Sequence, residues 1–223
     1  MASPDEFSVT IYGKGGHGAK PHETIDPIVI MAEFILSAQK IISRTIDPVK
    51  EAVLTFGMIQ AGSTDSVIPD TAFCKGTVRT FDTKLQSHVQ NKMDKLLQGL
   101  SLSNDITYEL EYIKGYLPLH NHQQAYEVVK QAANDMHLRF NESDLMMIGE
   151  DFSHYLKVRP GAFFLTGCGN QDKNIKKIFY ILFLILTKPL PPEVHVKLTA
   201  QLSLEQPRFR CSLCGQRLPY WTA

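Results

Sequence analysis

An α+β domain, built on a four-stranded antiparallel sheet with two helices on one face, is predicted by three observations. Stretches of two-residue apolar alternation and stretches of three- and four-residue apolar spacing follow one another as strand, helix, strand, strand, helix, strand over residues 6–113. Turn and cap residues stand at the junctions between them. Apolar residues make up 43% of the 223 residues and charged residues 21%, which suits one or two ordinary cores and excludes a disordered or collagen-like chain.

Each element has its own local reason. Phe7, Val9 and Ile11 alternate with polar residues, so residues 6–12 read as a half-buried strand. GKGGHG (13–18) follows as a glycine-rich turn with His17 at its apex. Asp26-Pro27 joins a good N-cap to a proline at the first helical position. Ile28, Met31, Ile35, Ala38 and Ile42 then set one apolar face on a helix running to about Ser43. AVLTFGMI (52–59) reads as a second strand, and Ala61-Gly62-Ser63 and Pro69-Asp70 bound a loop. TAFCKGTVRTF (71–81) reads as a third strand, with Gly76 as the position for a bulge. Asp70 and Asp82 read as turn residues. Leu85, Val89, Met93, Leu96, Leu97 and Leu100 mark a second helix, and Ile106, Tyr108, Leu110 and Tyr112 a fourth strand. This order is the split β-α-β pattern of ferredoxin-like folds, whose uncovered face and open edge call for a partner chain. Beyond it, Tyr126, Val129, Ala133 and Met136 mark a third helix. IGEDFSHYL reads as a turn into a short helix, and GAFFLTG as a buried strand.

Charge narrows the function. The 23 basic and 23 acidic residues balance, against a dedicated nucleic-acid binder. They are unevenly spread, with 16 basic and 21 acidic residues up to Asn174 and 7 and 2 after it. That shift predicts a boundary near Asn174. Four scattered cysteines do not make a disulfide-dense secreted domain, and MASPDEF lacks the pattern of a secretory signal, so a cytoplasmic location is expected. The longest apolar run, Ile178–Leu186, falls short of the roughly 20 residues of a membrane span. With its basic flank it reads as an aggregation-prone segment or as a shallow interfacial helix.

Several groups of residues have the makings of a site. GKGGHGAKPH (13–22) is not a phosphate-binding loop, because no Lys-Ser/Thr follows its last glycine. His17 is a proton donor or electrophile, or an incidental turn histidine. Glu150 and Asp151 are an acid–base or metal-binding pair, or charges complementing a helix N-terminus. Arg79 is an exposed strand cation or a carboxylate clamp. His120-Asn121-His122 reads as a polar loop capping the third helix. Cys211-x-x-Cys214 has the form of half a zinc knuckle, but His195 is the single histidine of the tail, so a free cysteine pair is the reading.

The runs FSVTIYGKGGHGAKPHETIDPI, RTIDP (44–48), AGSTDSVIPDTAFCKGTVRTFD, MIGEDFSHYL and PGAFFLTGCGN, in this order over about residues 5–174, resemble the aminoacylase and hippurate-hydrolase family of metal-dependent amidohydrolases, relatives of carboxypeptidase G2. The resemblance implies a lid and dimerisation domain at 5–115, a C-terminal portion of the catalytic domain at 116–174, and an unrelated tail at 175–223. It implies a homodimer formed through the lid and a small N-acyl amino acid or related amide as substrate; from the charge balance and the short apolar run, neither nucleic acid nor membrane is expected as partner. In the family, water on a divalent ion such as zinc or manganese attacks the amide carbonyl and a glutamate acts as base. By the same resemblance, His17 polarises that carbonyl across the dimer, Arg79 and Ser66 contact substrate, and Glu150 and Asp151 line the cleft. Ser66 stands where the family commonly has asparagine, and its reach is shorter. The family's metal ligands come mainly from an N-terminal half not present here, and its last metal histidine is replaced by KNIKKIFYILFLILTKPL. The expectation is therefore a fragment of an amidohydrolase that binds no metal and turns over nothing alone, the alternative being a non-catalytic dimerisation module.

Overall fold

The computed structural model describes residues 1–167 and, as backbone strands, Phe179–Ile185, Ala200–Gln201 and Arg208–Phe209. The chain divides into two compact units, Met1–Leu119 with Leu145–Ser153, and His120–Asp144 with the chain from His154 onward.

The first unit is a four-stranded antiparallel sheet. Its strands are β1 (Ser3–Tyr12), β3 (Ala52–Ala61), β5 (Thr71–Thr80) and β6 (Thr107–Ile113), in the order β3-β5-β1-β6. Helices α1 (Pro27–Thr45) and α2 (Thr83–Asn104) cover one face. Two-residue strands β2 (Gly16–His17) and β4 (Val67–Ile68) form a small ladder beside it. The core lies between sheet and helices, where Val9, Ile11, Met31, Phe34, Val89 and Met93 are fully buried. Asp26 caps α1 by accepting from the Ile28 N–H at 2.9 Å, and Asp82 caps α2 by accepting from the Lys84 N–H at 2.7 Å.

Departures from the expected pattern have physical causes. β1 begins at Ser3, earlier than its apolar alternation, because its inward positions there are polar and satisfied. Ser3 Oγ donates to the Thr80 carbonyl at 3.1 Å, and the buried Asp5 carboxylate accepts from Gln86 Nε2, Tyr112 Oη and the Gly115 N–H. The buried face of α1 is Ile30, Met31, Phe34, Ala38 and Ile41, so Ile28 lies outside it. This helix carries apolar residues on two faces, and periodicity alone cannot choose between them. Gly76 is not a bulge; the bulge lies across from it, between Phe56 and Met58. Gly76 is there because the Phe7 ring lies against it. A Cβ at Gly76 would stand 2.3 Å from Phe7 Cζ and 2.2 Å from the Thr55 carbonyl oxygen. The segment between Ala61 and Asp70 is likewise more than a loop, since it contains β4.

In the second unit α3 (Gln123–Asp135) buries Ala125, Val129 and Ala132 rather than Tyr126, Ala133 and Met136. Ala125 and Val129 pack with Ala162 of β7 (Gly161–Gly167). Tyr126 instead sends its hydroxyl to Glu142 at 2.7 Å. IGEDFSHYL leads, as expected, into the short helix α4 (Phe152–Val158). His122 precedes α3 but gives it no side-chain cap. The His120–His122 loop clips β7 instead: Asn121 exchanges two side-chain bonds of 2.8 Å with the Phe163 backbone, and the Gly161 N–H donates to His122 Nδ1 at 3.3 Å. Strand β8 (Phe179–Ile185) pairs antiparallel with β7, so this part of KKIFYILFLIL is a strand and not an interfacial helix. Its aromatic and β-branched residues suit that geometry. The boundary near Asn174, Cys168, the Cys211–Cys214 pair and His195 lie outside the described residues. Among the described residues no helix is long and apolar enough to cross a membrane.

Candidate functional site

The glycine-rich run after β1 is held by backbone on both sides. Lys14 exchanges two backbone hydrogen bonds with Ile25, and the Gly13 N–H donates to the Asp70 carbonyl at 2.8 Å. Gly16 and His17 pair with Ile68 and Val67, and the Gly18 N–H donates to the Ser66 carbonyl at 2.8 Å. This close approach is why glycine is needed at two of the positions. A Cβ on Gly13 would lie 2.3 Å from the Ile25 carbonyl oxygen, and one on Gly15 2.7 Å from that of Ile68. Asp70, read from sequence as a turn residue, also accepts from the Gly15 N–H through Oδ1 at 2.8 Å. The structure thus brings His17 and Ser66 together on an exposed ladder, and His17 Nδ1 accepts from the Ala19 N–H at 3.0 Å.

Arg79 stands elsewhere. It lies near the end of β5, in register with Pro4 on one side and Val53 on the other. It shares the helix-free face with Lys75 and Thr77 and is half-buried, which overturns its reading as an exposed cation. Its Nη1 is buried without a hydrogen-bond partner, a costly state that an oxygen acceptor would relieve. The segment carrying Glu150 and Asp151 passes the same end of the sheet. The Ala2 N–H donates to the carbonyls of Met146 and Ile148 at 3.0 and 3.1 Å, and Gly149 packs on the Pro4 ring. Partial burial raises the Glu150 carboxyl above the ordinary range, and the Asp151 carboxylate beside it raises it further through a hydrogen bond and like charge. Both residues directly precede α4, at its N-terminal end.

The predicted residues therefore fall into two groups. From Pro4 to Tyr12 is eight residues of extended chain, ~26 Å at the usual strand rise. His17 and Ser66 belong to the Tyr12 end and Arg79, Glu150 and Asp151 to the Pro4 end. No small substrate spans that distance within one chain. An open groove of about 260 Å³ between the ends, lined by Glu6, Ser8, Lys75, Thr77 and Glu111, contains none of the five. Among the described residues no three His, Cys, Asp or Glu side chains converge as metal ligands, and the Glu150–Asp151 pair supplies two donors at most. Those residues do not fit a divalent ion. Cys74 is no candidate either: burial pushes its thiol up to about 11, away from a reactive thiolate.

Comparison with known proteins adds an independent line. A family model described as a peptidase dimerisation domain matches residues 5–104. The chain is 37% identical over 173 residues to an N-acetyl-L-cysteine deacetylase of Bacillus subtilis, covering 77% of this chain and 42% of that protein. It is 37% identical over 169 residues to an N-acetyldiaminopimelate deacetylase of Streptococcus sanguinis, covering 75% and 45%. Among solved structures it is similar to the Bacillus subtilis YXEP protein, described as a dinuclear metal-binding peptidase of the M20 family. The TM-score is 0.56 at 27% identity, over 72% of this chain and 39% of that one. The chain spans less than half the length of these relatives.

Proposed function

We propose, from the match of residues 5–104 to the peptidase dimerisation domain of the M20 family, that the chain acts in hydrolysis of N-acyl amino acids or related amides as a lid that completes its partner's site. The domain division is part of the proposal: lid at 5–115, return to the catalytic domain at 116–174, separate tail from 175.

The observation that carries this reading is the separation of His17 from Arg79. Strand β3 is an edge of the sheet, and α1 lies over the β3 side. Two copies paired antiparallel along β3 would form a continuous sheet in which the His17 end of one lies beside the Arg79 end of the other. Their β5 strands would then be three strand spacings apart, ~14 Å. A two-fold axis thus brings together what one chain holds apart. In such a site His17 donates a hydrogen bond to the amide oxygen as it gains negative charge, and the partner's Arg79 holds the substrate carboxylate through its unsatisfied guanidinium. Ser66 beside His17 offers a short hydroxyl contact. Glu150, retaining its proton more readily than an ordinary carboxyl, and Asp151 line the Arg79 end. The divalent ion expected from the family, zinc or manganese, would be held by the portion of the longer relatives that this chain does not match, and would activate water there.

The test is to combine the purified full chain with the part of the Bacillus subtilis N-acetyl-L-cysteine deacetylase that this chain does not match, and to assay N-acetyl amino acid hydrolysis with zinc or manganese. Turnover in the mixture that falls about 10²–10³-fold with His17→Ala supports the proposal, as expected for loss of an oxyanion donor. Turnover indifferent to His17→Ala overturns it. An inactive mixture with an intact dimer favours the second reading, a non-catalytic dimerisation module.

A further inference from the structure

We propose that Asp70 is a positioning residue for His17, holding the glycine-rich run so that the backbone of Ala19 locks the imidazole with its proton on Nε2. The inference rests on the reading of His17 as the carbonyl-polarising group. Its first half is a matter of donor and acceptor identity. A backbone N–H can only donate, so the 3.0 Å contact from the Ala19 N–H makes Nδ1 the acceptor. In the neutral ring the proton then lies on Nε2, and that nitrogen is the donor presented to a ligand. The Lys20 N–H donating to the His17 carbonyl at 2.8 Å closes the same tight turn and keeps Ala19 in place.

The second half concerns what holds the turn. His17 is exposed, and β2 has two residues, so no core contact fixes it. Its support comes from the chain across the ladder. Asp70 grips the run twice, with its carbonyl on the Gly13 N–H and its Oδ1 on the Gly15 N–H, both at 2.8 Å. Ser66, on the other side of β4, holds the Gly18 N–H through its carbonyl. Gly13, Gly15 and Gly18 are thus gripped at both sides of His17, and Asp70 supplies the only side-chain grip among these bonds. Removing that carboxylate frees Gly15, loosens the β2–β4 register and lets the Ala19 N–H leave Nδ1.

The experiment uses the full chain with ¹⁵N-labelled backbone and histidine. Long-range ¹H–¹⁵N spectra report which ring nitrogen of His17 carries the proton, and amide hydrogen exchange reports Gly15 and Ala19. The expected result is a single Nε2–H form with both amides protected. Asp70→Ala lowers protection at Gly15 and at Ala19 about tenfold, the equivalent of one hydrogen bond, and produces mixed tautomers. Asp70→Asn, which keeps the facing oxygen, restores the native pattern. The α1 and α2 amides serve as the control for global folding. A native ring with its proton on Nδ1, or an unprotected Ala19 amide in the native chain, overturns the proposal whatever the variants do. So does an Asp70→Ala chain in which only Gly15 changes. Because none of this requires turnover, an Nε2–H ring in a chain whose mixture shows no His17-dependent hydrolysis would sink the functional reading and leave the positioning intact.

Discussion

Gly76 and Gly99 predict opposite responses to the same substitution. A methyl group at Gly76 meets the Phe7 ring and the Thr55 carbonyl, so Gly76→Ala is expected to destabilise the first unit by about 1–3 kcal/mol in urea unfolding. Gly99 lies inside α2 with nothing within 4 Å of its would-be Cβ, so Gly99→Ala is expected to stabilise by up to ~1 kcal/mol in the same measurement. Cys74 adds a pH dependence. Burial lifts its thiol from the usual 9.0 to about 11, so the unfolded chain ionises first as pH rises. The stability it contributes is complete below pH 9 and is lost between 9 and 11. Urea midpoints should therefore fall more steeply across that window in the native chain than in Cys74→Ala. Alternation placed Cys74 on a strand, but the Phe7–Gly76 contact was invisible, because it joins residues far apart in sequence.

At the level of elements, the proposed dimer places α1 at the interface. Its buried face is complete, yet Val29 is 63% and Leu36 71% exposed, and Ile59 on the neighbouring edge strand is 54% exposed. On the helix and strand at that edge, such exposed apolar side chains fit a covered interface better than a solvated one. The double variant Val29→Glu, Leu36→Glu is expected to shift the chain from dimer to monomer in light-scattering chromatography. Leu102→Glu, on α2 away from that edge, should leave the mass unchanged. Caps and main periodicities made much of this legible: Asp26-Pro27 starts α1 where the residue pattern says, whereas Asp82, read as a turn residue, is the cap of α2. The short ladder of β2 and β4 was not legible, since two residues carry no period. The HNH loop precedes α3 as expected, with His122 at the N-cap position, but its side chains give the helix no hydrogen bond and instead imitate a strand's backbone pairing, which no local pattern announces.

For the whole molecule, the proposed sharing of sites makes a quantitative prediction. With the complementing metal-binding portion present, His17→Ala and Arg79→Ala chains should each be nearly inactive alone. Mixed and allowed to exchange, half of the dimers are mixed, and each regains one site with both native side chains, so activity returns to about a quarter of the native value under random pairing. No recovery would mean that the two residues serve the same chain's site or none. The order of strands and helices, their caps, the glycine-rich run and the family resemblance were all determined by the amino-acid sequence by itself, because periodicity and turn chemistry are local. Only the tertiary structure decided that His17 and Ser66 share one end of the sheet while Arg79 and Glu150 share the other. It alone showed that Asp70 grips the histidine run and that Asp5 is a satisfied buried carboxylate. The reason is physical: alternation tells which face a residue occupies, whereas strand register and chain crossing determine which distant residues that face meets.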